Sequence, residues 1–200
     1  MRDGVIGILL AAGRSRRMGQ PKQLLPLAGL QTVVEVVAHQ IRPHVSSLVV
    51  VVGHVGGQVA AMLSALDITL AINENVDRGM LSSVQAGILA ANHGRGYLIC
   101  LGDQPSLRGA AIDAVVRASV GAAGIVIPTF DGQRGHPVFI HRRYRSEILG
   151  LDPQRVGLNA VTRAHAQDTI EVALDDELIL DDMDTPSDYA REIERAGAHG

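Results

Sequence analysis

Val5-Ile6-Gly7-Ile8-Leu9-Leu10-Ala11 carries no polar side chain, and the run ends at Gly13. A strand with one face in water alternates polar and apolar residues, so an unbroken run is a strand covered on both faces, as in a parallel sheet. Residues 48–53, 97–102 and 124–127 repeat the pattern, and 69–72 is a shorter, weaker version. Between them lie helical stretches. Residues 32–41 place Val33, Val36, Val37 and Ile41 on one face, and 59–66, 81–91 and 107–118 are similar. This alternation predicts an α/β fold over residues 1–200, a single domain with a mostly parallel central sheet flanked by helices. Ligands in such folds sit beyond the carboxyl ends of the strands.

The last third is less regular. Residues 137–140 and 169–172 read as short strands, either of which could lie at a sheet edge, and helices are expected at 142–149, 159–166 and 186–196. Thr185 suits the cap of the last helix and Pro186 its first turn. Composition removes several classes of function. With 46% hydrophobic and 20% charged residues the chain has apolar surface enough to fold, yet no run approaches the ~18 apolar residues of a membrane span. A net charge of -3, three Tyr, two Phe and no Trp argue against nucleic acid as a partner. The first strand begins within a few residues of the N-terminus and no export signal precedes it, so a cytoplasmic location is expected. Cys100, the sole cysteine, is read as a small buried apolar side chain.

Chemistry concentrates after the first strand. Gly13-Arg14-Ser15-Arg16-Arg17-Met18-Gly19-Gln20-Pro21-Lys22 holds four cations within ten residues, and its glycines let backbone N–H groups approach an anion closely. The segment should bind phosphates. It is neither a P-loop, which needs Lys and Ser/Thr after the second glycine, nor a G-x-G-x-x-G dinucleotide fingerprint. Asp103 follows an apolar strand through Gly102, where a carboxylate at a sheet end could ligate a hard cation such as Mg²⁺ or cap the following helix. Asp184 lies in an acidic run before Pro186, and Ser82 and Ser83 stand where serines cap helices.

From Leu10 to Lys22 the chain resembles the signature L-A-A-G-x-S-x-R-M-G-x-P-K of the molybdenum-cofactor nucleotidyltransferases, most closely the cytidylyltransferases. The resemblance continues through Gly79-Met80-Leu81-Ser82-Ser83-Val84, Leu101-Gly102-Asp103-Gln104-Pro105, Arg134-Gly135-His136-Pro137-Val138 and Asp182-Met183-Asp184-Thr185-Pro186-Ser187-Asp188-Tyr189. It implies a Rossmann-like fold and an Mg²⁺-dependent transfer of CMP from CTP to the phosphate of molybdopterin, with release of pyrophosphate and a molybdenum hydroxylase apoenzyme as partner. It further implies that Arg17 and Lys22 contact the nucleotide phosphates. Ala11, Ala12, Gly13, Gly79, Ser82 and Ser83 would surround the base, Asp103 and Asp184 would hold the metal, and Arg134 and His136 would face the acceptor.

Ala12 stands where guanylyl-transferring relatives usually carry Gly, and its methyl in a tight loop favours CTP over GTP. Relatives commonly carry a stretch like G-D-x-G-A-R before a helix. This chain reads Arg155-Val156-Gly157-Leu158-Asn159-Ala160-Val161, without the acid and the Arg, which leaves another small phosphate acceptor open. Two other classes compete: an NAD(P)-binding oxidoreductase, which lacks its glycine fingerprint here, and a non-catalytic protein that delivers cofactor to an apoenzyme.

Overall fold

The computed structural model describes residues 4–29, 31–91 and 93–198. In chain order it runs through β1 (Val5–Ala11), a small hairpin of β2 (Pro26–Ala28) and β3 (Gln31–Thr32), α1 (Val33–Ile41), β4 (Ser47–Val52), α2 (Gly56–Met62), β5 (Thr69–Ile72) and α3 (Met80–Ala90). There follow β6 (Gly96–Leu101), α4 (Gly109–Ala118), β7 (Ile125–Phe130), β8 (Gln133–Arg134), β9 (Val138–His141), α5 (Arg145–Gly150), α6 (Asn159–Ala164), β10 (Thr169–Ala173) and α7 (Pro186–Gly197).

The first apolar run lies inside the sheet, whose strand order is β10-β7-β9-β6-β1-β4-β5, with β8 paired to β7. β1 is parallel to β4 and β6, β4 to β5, and β10 to β7. β9 runs antiparallel to both its neighbours, β6 and β7. Of the two late strands expected to suit an edge, β10 is at the edge and β9 is internal. The difference is written in their side chains: Val138, Phe139 and Ile140 are buried, whereas Glu171 on β10 is exposed.

Residues of β1 feed two cores by alternation. Val5, Leu9 and Ala11 join α1, α2 and α4 on one face, while Ile6 and Ile8 join α3, α5 and α6 on the other. The parallel strands are thus covered on both faces, which is why they need no polar residues. α3 lies close against β1, because a methyl group on Gly87 would come within 2.4 Å of the Ile8 Cγ2 atom. Cys100 is fully buried in the first core, and desolvation pushes its thiol pKa far up, so it is held as an inert thiol.

α7 starts where its sequence predicts. Pro186 occupies the first turn and Thr185 is the cap, its Oγ1 donating to Asp188 Oδ2 at 2.8 Å. The same Asp188 oxygen accepts from the backbone N–H groups of Thr185 at 2.7 Å and Asp184 at 3.0 Å. These donors, the Thr185 hydroxyl first, hold the Asp188 carboxyl down to about 2. A depressed carboxylate pKa contributes stability that is complete above the unfolded value of about 4 and is lost as pH falls through the folded value. Asp188→Ala therefore lowers the thermal midpoint at pH 7, and the gap from the unmodified protein closes between about pH 4 and pH 2. Thermal unfolding across that range checks it.

Candidate active site

The carboxyl ends of β1 and β6 open onto one cleft of about 620 Å³. The loop after β1, the 76–83 segment, Asp103, Asp182 and Asp184 line it. The strand ends come close because Gly102 and Gly53 carry no side chain. A Cβ on Gly102 would stand 2.7 Å from the Leu10 carbonyl oxygen, and one on Gly53 2.8 Å from that of Ala12.

At the centre is Lys22, only 9% exposed. Its Nζ donates to Asp103 Oδ2 at 2.6 Å, to Asp184 Oδ1 at 2.9 Å and to the Met183 carbonyl oxygen at 3.1 Å. Burial works against the ammonium charge, but Asp103 and then Asp184 outweigh it, and the lysine pKa is raised above its usual value. Lys22 is therefore a permanent cation at neutral pH rather than a nucleophile. Asp184 is lowered, first by the hydrogen bond from Lys22, and Arg17 contributes from its other side with Nη2 2.8 Å from Oδ2. The Arg17 side chain is 71% exposed, so it can leave this pair at little cost.

The loop between β1 and Lys22 is held by a residue that the motif reading passes over. Gln23, 2% exposed, donates through Nε2 to the carbonyl oxygens of Ala11 at 3.0 Å and Gly13 at 2.7 Å. Ser15, in the left-handed region at φ 49°, accepts from the Lys22 N–H at 2.9 Å. Gly19 takes the same region at φ 69°. Across the cleft Arg14, exposed to solvent, pairs with Asp77 at 2.5 Å. The Arg16 side chain lies outside the described residues.

The expected base-binding residues divide. Ala12, Gly13, Gly79 and Ser83 line the cleft. Ala11 lies behind it, 1% exposed. Ser82 also lies behind: its hydroxyl donates towards the Gly79 and Asn75 carbonyl oxygens, at 2.7 and 3.1 Å, and accepts from Asn73 Nδ2 at 2.8 Å. Asn73 Nδ2 reaches the Ser83 hydroxyl too, at 3.0 Å, and its Oδ1 accepts from Asn75 N–H at 2.9 Å. This buried amide organises the turn into α3, and its place just after β5 is the one sequence signal it offers. Gly79, at φ 97°, sits in a region that other residues rarely adopt.

Arg134 is elsewhere, on β8, paired with Glu171 of β10 at 2.7 Å. His136 precedes a cis bond to Pro137, and its N–H donates to the Ile179 carbonyl oxygen at 3.0 Å. Burial lowers its pKa while the charge of Asp103 opposes that, so the ring is neutral at pH 7 and still within electrostatic reach of the cleft. Asp182 is a further carboxylate of the site, hidden in its acidic run. Desolvation and then the charge of Asp103 push it up to about 6, and Gln104 Nε2 donates to it at 3.0 Å.

Asp103 and Asp184 both reach one nitrogen, so a single cation can bind both. Among the described residues no cluster of three or more His, Cys, Asp or Glu side chains is arranged for a metal. A divalent ion here would draw on two carboxylates and its substrate's phosphates, a donor set that fits Mg²⁺.

The family model of the MobA-like NTP transferase domain matches residues 7–169. Over 191 residues the chain is 28% identical to a molybdenum cofactor cytidylyltransferase of Escherichia coli, covering 94% of this chain and 95% of that one. It is also 28% identical over 188 residues to a nicotine blue oxidoreductase of Paenarthrobacter nicotinovorans, covering 90% and 92%. Among solved structures, Rv0371c of Mycobacterium tuberculosis in complex with manganese superposes with a TM-score of 0.79 at 26% identity, over 97% of this chain and 100% of that one.

The contact at Gly102 yields a test. In Gly102→Ala the new methyl meets backbone and displaces the strand end that carries Asp103, with an expected loss of about 1–3 kcal/mol. Denaturant unfolding measures it, and the same change at Gly57, which has open space around it, leaves the unfolding free energy within about 1 kcal/mol of the unmodified protein's.

Proposed function

Because this chain belongs to the MobA-like NTP transferase family, we propose that it acts as one domain over residues 1–200, transferring CMP from CTP to the phosphate of molybdopterin and releasing pyrophosphate. The observation that carries this reading is the convergence of Lys22, Asp103 and Asp184 beside a cation-rich loop at the carboxyl ends of β1 and β6. Phosphoryl chemistry between two anions needs positioned positive charge more than it needs an acid or a base.

In this reading Lys22 presents its charge to the α-phosphate, where the bond changes. Arg17 leaves Asp184 and holds two oxygens of the departing pyrophosphate with its planar fork. Asp103 and Asp184 hold Mg²⁺, which when bound neutralises phosphate charge; the manganese in the related structure speaks for a divalent ion in this fold. Ala12, Gly13, Gly79 and Ser83 form the base site, with Ala11 and Ser82 supporting it from behind, and the Ala12 methyl favours CTP over GTP. His136, neutral at pH 7, meets the acceptor by hydrogen bonding, and Arg134 meets its phosphate after parting from Glu171. The product passes to a molybdenum hydroxylase apoenzyme in the cytoplasm.

A second reading has one observation in its favour, the equal likeness to a protein named as an oxidoreductase. It gives no task to a buried lysine between two carboxylates, and the transferase reading does. Incubation with each nucleoside triphosphate, Mg²⁺ and molybdopterin tests the choice through pyrophosphate release. CTP gives the highest rate, and Lys22→Ala lowers kcat about a hundredfold or more. Pyrophosphate from GTP alone moves the donor. None from any nucleotide, together with NADPH oxidation on a dye or activation of an apoenzyme by preformed cofactor, ends the transferase reading.

A further inference from the structure

Lys22 is the only lysine in the chain, whose other side-chain cations are seventeen arginines, and it stands where both proposed metal ligands point. Its nitrogen touches Asp103 at 2.6 Å, Asp184 at 2.9 Å and the Met183 carbonyl oxygen at 3.1 Å. These are three oxygen acceptors around one compact point charge, the donor set a hard cation would take. A divalent ion seated between the two carboxylates would lie where this ammonium now lies, and the two positive charges repel one another.

We infer that Lys22 is the resident counter-ion of the metal site, and that a divalent cation binds by displacing its ammonium from Asp103 and Asp184. The inference rests on the metal-holding role of those two carboxylates proposed above, but not on the identity of the nucleotide. It has a functional corollary. Lys22 cannot reach a phosphate while it is bonded to three oxygens, and the site cannot take the metal while Lys22 is there. Each event releases the partner for the other, so metal and nucleoside triphosphate bind with positive cooperativity. The Lys22 N–H bond to Ser15 keeps the backbone in place while the side chain swings. Arg17 cannot serve as this counter-ion, because its side chain is 71% exposed and, among the described residues, it pairs with one carboxylate, that of Asp184.

Manganese binding by paramagnetic resonance, without nucleotide, tests the displacement directly. Lys22→Met keeps the apolar stem and removes the charge, leaving two carboxylates with no buried cation. It is expected to bind Mn²⁺ about tenfold tighter or more than the unmodified protein, and to gain the larger rise in thermal midpoint from Mn²⁺. Arg17→Ala, which removes an exposed charge of the same sign, changes the affinity less than about threefold. Equal or weaker Mn²⁺ binding by a folded Lys22→Met overturns the inference.

Should that variant not fold, the unmodified protein still decides the matter. One lysine side-chain ammonium resonance is available to nitrogen-15 spectroscopy, slowed in exchange by its three acceptors. Titration with Mg²⁺ is expected to shift and broaden it as the ammonium enters water, and a resonance unchanged at metal saturation overturns the inference. Tight Mn²⁺ binding by Lys22→Met, together with no pyrophosphate from any nucleotide by the unmodified protein, would preserve the counter-ion and end the transferase reading, so the two failures are distinct.

Discussion

One ammonium group joins three distant parts of the chain. Lys22 lies 81 residues from Asp103 and 162 from Asp184, yet bonds to both. Through it the loop after β1, the end of β6 and the segment leading into α7 meet at one point. Removing one partner of such a buried group leaves the others desolvated and uncompensated, so the three segments support one another's positions. The Met183 N–H bond to the Asp103 carbonyl oxygen, at 2.8 Å, adds a backbone clamp between two of them. Asp188 acts on the same junction from the other side by bonding the Asp184 N–H.

Around that junction the polar side chains position backbone more than they face the cleft. Gln23 fixes two carbonyl groups of the β1 loop, Asn73 fixes both serines of the turn into α3, and Gln104 bridges Asp182 and the Ile179 carbonyl oxygen. The 148–153 segment belongs to this support as well. Gln85 donates to the Ile148 and Leu151 carbonyl oxygens, Arg78 pairs with Asp152, and the Pro153 carbonyl oxygen lies beside Gly79. The cleft is thus carried by buried amides, which hold geometry without adding charge to a site already dense with it.

How far such an arrangement can be read from sequence depends on the range of the force that makes it. β1, β4 and β6 are legible because burial on both faces removes polar residues locally. α2 is less so: helical spacing points to 59–66, but the helix is Gly56–Met62, since its opening glycines are poor helix formers that tertiary packing overrides. α4 likewise begins at Gly109, with Leu107 still in the preceding turn. The β2–β3 hairpin and β8 are two or three residues long and leave no period to detect. In the site, Lys22, Asp103 and Asp184 stand in recognisable motifs. Gln23 and Asn73 do not, and Asp182 opens the last motif without a role assigned there, because each matters through a partner brought near only by folding. Arg134 shows the converse, a motif residue whose present partner, Glu171, lies on a strand 37 residues away.

The reversed direction of β9 has a consequence for how such a protein can diversify. In a wholly parallel sheet every residue at the ligand edge lies on a segment that leaves a strand. β9 pairs Val138 with Ile99 and His141 with Gly96, so its beginning, not its end, lies beside the end of β6. Residues 131–136 therefore arrive at the ligand edge from a short surface turn between β7 and β9, a segment independent of the β1 loop and of α3. Insertions or exchanges there change the surface next to the end of β6 while every parallel strand keeps its register. A gene carrying this fold can vary that turn in one stretch of codons and the loop after β1 in another.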